Sequence, residues 1–149
     1  MDLITKLFDI DFAALVPELP VFLGLTRTVL ALGILSGPIC LLVLGALYLF
    51  KPAPEANFRF GFRTYYGMGS VEAWRFSQKI AGLTFGALGA VLLVVMLIVV
   101  LCFGGKDLLR VARTAMICLF WQVGLILLAR LVPAVLSAVF FDRRGDRRR

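Results

Sequence analysis

The chain contains no histidine, and all nine of its acidic residues lie outside its three longest apolar runs. The first absence removes the usual general base and the commonest metal ligand. The second leaves no carboxylate pair to run acid–base chemistry inside a membrane. No HExxH motif, no glycine-rich phosphate loop and no serine or cysteine beside a candidate base is present, so hydrolytic and redox catalysis are not expected. A drug–proton antiporter would place a carboxylate in a membrane helix, and none is there. Cysteine is scarce: Cys40, Cys102 and Cys118 fall within apolar runs without a CxxC pair. They read as small apolar residues rather than a disulfide or metal site, and no cofactor is expected.

What is abundant is apolar. Of the 149 residues 61% are hydrophobic, mean hydropathy is +0.97 and net charge is +7, the profile of an integral membrane protein. A bilayer crossing needs about 20 apolar residues. Three windows meet that length, about 28–50, 80–103 and 115–141. The first two carry no charge, and the third carries one, Arg130. The opening "MDLITKLFDIDF" places Asp2, Asp9 and Asp11 where a cleavable signal would be basic, so the first apolar run is expected to be retained. Over 1–27, Leu3, Ile4, Leu7, Phe8, Phe12 and Leu15 recur at helical steps before Pro17 and Pro20 interrupt, which predicts an interfacial amphipathic segment. The expected fold class is an all-α membrane protein of three transmembrane helices, with that N-terminal helix, a structured connector over 51–79 and a basic tail over 142–149.

Charge sets the expected orientation. Two basic residues precede the first span and three lie between the second and third, against five in the connector and five in the tail. The positive-inside rule then puts the N-terminus outside and the connector and C-terminus in the cytoplasm of a multi-pass plasma-membrane protein. Gly33 and Gly37 in the first span, and Gly82, Gly86 and Ala90 in the second, form small-residue strips suited to close helix contact. Pro38 and Pro133 each remove a backbone hydrogen bond and favour a kink.

The stretch "NFRFGFRTYYGMGSVEAWRF", residues Asn57 to Phe76, carries three arginines, seven aromatics and three glycines, far more than a plain turn needs. Ser70 is placed to cap a helix running from Val71 into the second span, with Glu72 in its first turn. Trp74 is expected at headgroup depth as an interfacial anchor. Arg63 offers a planar fork of donors for phosphate, carboxylate or helix-end carbonyls, and Gly61 permits close backbone approach. Two readings follow: an aromatic and basic anchor on anionic lipid, or a folded loop that shapes a binding surface.

The order Asn57, Gly61, Arg63, Thr64, Ser70, Trp74, Ala81 and Gly82, followed by two apolar spans, resembles the SdpI family of bacterial membrane proteins over roughly Pro52 to Phe141. The family's namesake confers immunity against a secreted membrane-active peptide and holds a transcriptional repressor at the membrane. Tyr65 stands where the family usually carries proline. The resemblance implies a non-enzymatic protein that binds or protects against a peptide toxin or a protein partner, with Asn57, Gly61, Arg63, Thr64, Ser70 and Trp74 as binding residues.

Arg130 joins that set because an arginine inside an apolar helix costs several kcal/mol unless it is paired or snorkels. Its expected partners are carbonyls freed by Pro133 or Pro38, Gln122, a lipid phosphate or an inward-folded Glu72. The alternative has Pro133 ending the span and Leu131 to Phe141 lying along the surface. The tail "DRRGDRRR" is expected to meet anionic headgroups rather than nucleic acid, with an acidic protein partner or a homo-oligomer also compatible. A holin-like pore former and an accessory or assembly subunit of a larger membrane complex are the competing functional classes.

Overall fold

The computed structural model describes residues 19–54, 56 and 60–148. The expected amphipathic helix up to residue 18 and the candidate residue Asn57 lie outside these. Three helices follow one another: α1 at Leu19–Phe50, α2 at Val71–Leu101 and α3 at Leu108–Phe140. Each is long and apolar enough to cross a membrane, so the chain is an all-helical, multi-pass membrane protein. At 1.5 Å per residue they run roughly 45–50 Å, past a hydrocarbon core of about 30 Å. The extra turns explain why each helix outruns its apolar window. Residues 19–27 continue the first span without a break, and Pro20 is accommodated because a first-turn N–H has no intrahelical partner. Ser70 caps α2, its Oγ accepting from the Ala73 N–H at 3.1 Å, with Glu72 in the first turn.

The helices meet through small residues and one polar lock. On α1 the contact glycine is Gly45, not the expected Gly33–Gly37 pair. A Cβ on Gly45 would lie 2.6 Å from the Gly86 nitrogen and 3.0 Å from the Gly82 carbonyl, whereas one on Gly33 would meet nothing within 4 Å. Lipid tails are as apolar as leucine, so backbone approach of this kind supplies the dispersion energy that holds α1 to α2.

Gln122 ties α3 to α1. Pro38 has no N–H to give the carbonyl of Ile34, one turn earlier, and the Gln122 side chain donates to that carbonyl at 2.8 Å. Gly37 makes the approach possible, since a Cβ there would collide with the Gln122 amide oxygen. Ile34, Leu41, Phe85, Leu92, Val111 and Ala115 belong to the buried core that the three helices share. The three cysteines are unpaired, and Cys40 and Cys102 face outward.

Candidate functional site

The connector folds over the first turns of α2, held by backbone and side-chain hydrogen bonds. Gln78, buried on α2, exchanges two bonds with Phe62: its Nε2 donates to the Phe62 carbonyl and its Oε1 accepts from the Phe62 N–H, both at 2.8 Å. A glutamine amide thereby completes the pairing of a single connector residue as a neighbouring strand would. Gly61, at φ +125°, lies directly before it. Any Cβ there would fall 2.5 Å from the Trp74 ring, so both the backbone conformation and the close contact require glycine. Thr64 is buried, its Oγ1 accepting from the Gly67 N–H at 2.9 Å.

Trp74 departs from expectation. It is fully buried beneath the connector, with Nε1 donating to the Ala53 carbonyl at 2.9 Å. A lipid-facing indole and an indole under a folded loop have the same sequence position. What separates them is Gly61, which lets the chain lie flat on the ring.

Arg63 and Arg130 come together. Both line a cavity of ≈ 380 Å³ whose other walls include Tyr48, Gly61, Phe62 and Phe85. A second cavity of ≈ 320 Å³ also touches both arginines and opens along Leu127, Leu131 and Ala134 of α3. Tyr48 lies within electrostatic range of both guanidinium groups. α3 runs unbroken through Pro133 to Phe140, which removes the arrangement in which the chain beyond Leu131 lies along the surface. The Phe76 and Phe140 rings, 5.5 Å apart, set the level of the helix ends. Ten residues back, roughly 15 Å further along the axis, Arg130 lies level with Phe85. The connector descends to the same level, since Phe62 packs edge-on against Phe85 at 5.6 Å.

Of Arg130's expected partners, the carbonyl freed by Pro38 is taken by Gln122. Glu72 lines a different cleft, on α2 beside the tail.

Ser70 has a second role. Besides capping α2, its hydroxyl donates to the Gly145 carbonyl at 2.7 Å, fastening the C-terminal tail to the start of α2. The basic tail folds into a tight turn. Its Asp142 carboxylate accepts from the Arg144 and Asp146 N–H groups, and Phe141 and Arg147 form an antiparallel bridge. The bond from the Asp146 N–H, foremost among several, holds the Asp142 carboxyl below its usual range.

Gln78, Tyr48 and Gly145 were not among the candidate site residues read from the sequence. A polar residue four positions after Trp74, on the same helix face, was the available signal for Gln78. Comparison with family models, curated proteins and solved structures returned no match.

Proposed function

We propose that this chain is a non-enzymatic binding protein of the bacterial plasma membrane, of the SdpI immunity and signalling type. In this reading it captures an anionic group of a membrane-active peptide or partner protein in the cavity between Arg63 and Arg130. The observation that carries it is the convergence of these two residues, 67 positions apart, on one cavity at the depth of Phe85. Both side chains are exposed where they line this cavity, so a single anionic group can reach two guanidinium groups at once. Guanidinium forks suit carboxylate or phosphate, and Tyr48 adds a hydroxyl to the same wall. The N-terminus lies outside and the connector inside, on the strength of the basic-residue asymmetry.

The test is survival of a bacterial host expressing the full chain, challenged with a panel of secreted membrane-active peptides. The parent is expected to protect against at least one. At equal membrane abundance, Arg63→Lys, Arg130→Leu and Gly61→Val should each lose most of that protection, whereas Arg59→Lys keeps it. Equal tolerance of the arginine substitutions would refute the binding cavity. Immediate loss of membrane potential on expression would instead favour a holin-like pore former.

A further inference from the structure

A second basic site, separate from the Arg63–Arg130 cavity, is assembled from the start of α2 and the C-terminal tail. Arg75 and Lys79 on α2 and Arg147 on the tail line one cleft of ≈ 260 Å³, floored by Phe76, Phe140 and Phe141. The tail reaches it by construction. The Ser70 hydroxyl holds the Gly145 carbonyl, and Gly145 sits at φ +82° with its Cα so close to Gly69 and Ser70 that a Cβ would collide with them. Phe76 packs against Phe140 and Phe141, with ring centroids 5.5 and 5.3 Å away. The backbone bridge from Phe141 to Arg147 then sets the arginine at the cleft wall.

Glu72 is the one acidic residue in the lining. Between two described residues the single ion pair is Arg110 with Asp107, which flank the start of α3 on the far side of the molecule. Among the described residues, three cations therefore line the cleft with one carboxylate and no salt bridge among them, which leaves the lining net positive. We propose that it is a binding site for one anionic phospholipid, its headgroup phosphate held by Arg75, Lys79 and Arg147 and its glycerol and upper acyl chains resting on the three phenylalanines. A free anion would leave the aromatic floor uncovered, whereas a lipid fills both halves at the level where the spans leave the bilayer.

The test uses the purified full chain in a neutral detergent, titrated with phosphatidylglycerol or phosphatidylcholine and read by native mass spectrometry. One phosphatidylglycerol should be retained in preference to phosphatidylcholine. Arg147→Ala should weaken retention about tenfold, the loss expected for one charge-assisted contact. Gly145→Val, which detaches the turn, should do the same. Arg143→Ala removes an equal charge from the tail outside the cleft and should leave retention unchanged. Equal losses for Arg143→Ala and Arg147→Ala would overturn the proposal in favour of diffuse attraction. Displacement of the lipid by low-millimolar inorganic phosphate would also overturn it, as the mark of a site for free anions. Arg63→Lys leaves this site intact, so its outcome is independent of the protective function proposed above.

Discussion

Replacing Gln78 with methionine keeps the length and packing of the side chain and removes only its two hydrogen bonds to Phe62. The Phe62 N–H and carbonyl are then left buried without their partner. Each such group costs about 1–3 kcal/mol, so the connector should lose about 2–6 kcal/mol of local stability. Methionine's own apolar burial does not recover this, because the penalty belongs to the backbone groups left behind. The connector contains a reporter, since trypsin cuts after Arg63, the residue following Phe62. Where opening is fast relative to cleavage, the cutting rate tracks the population of the open form. Even the lower figure, about 2 kcal/mol, raises that population roughly 30-fold. Cleavage after Lys106, in the loop at the opposite end of α2, serves as the internal reference. An unchanged ratio of Arg63 to Lys106 cleavage in Gln78→Met would refute the claim that the glutamine holds the connector down.

Gln122→Leu orphans the Ile34 carbonyl that Pro38 already leaves without a donor, and should cost about 1 kcal/mol in denaturant unfolding from mixed micelles, as interhelical bonds in membranes typically do. Gly45→Val should separate α1 from α2 and lower thermal stability markedly, while Gly33→Val, facing open space, is silent in the same melt. In a cysteine-free background, a cysteine at exposed Tyr65 should resist labelling from outside intact cells and one at Gly105 should react; the reverse pattern overturns the orientation. The Asp142 carboxyl has its folded pKa depressed below the ordinary 3.8, so it stabilises the tail turn above that value and the contribution is lost as pH falls through the lower folded pKa. An amide-exchange measurement should find the Asp146 N–H protected down to below pH 3.8, and in Asp142→Asn that pH dependence should vanish.

Among the described residues, the existence and order of the three long helices were legible in the sequence because apolar run length is a local property, and each run could be measured against bilayer thickness alone. The start of α2 was equally legible, since a serine cap and a first-turn glutamate act on backbone groups within three residues of themselves. The starts of α1 and α3 were less so, as the apolar windows stop where charge begins while hydrogen bonding carries the helix onward through Arg27 and Arg110.

Contacts between distant residues lay beyond any local signal. Which glycine of α1 meets Gly86 depends on how the helices rotate and slide, and a small-residue strip is compatible with several registers. Proline at position 38 announces a free carbonyl at Ile34, but only the placement of α3 decides that Gln122 receives it. The burial of Trp74, the meeting of Arg63 with Arg130 and the fastening of the tail at Ser70 are decided in the same way. Each joins segments that the chain keeps far apart and only helix packing brings together. By itself the sequence determined a basic membrane protein with three long apolar helices among the described residues, because hydrophobicity and charge are summed residue by residue. The tertiary structure alone decided where its arginines converge, because position in space depends on packing that no single segment encodes.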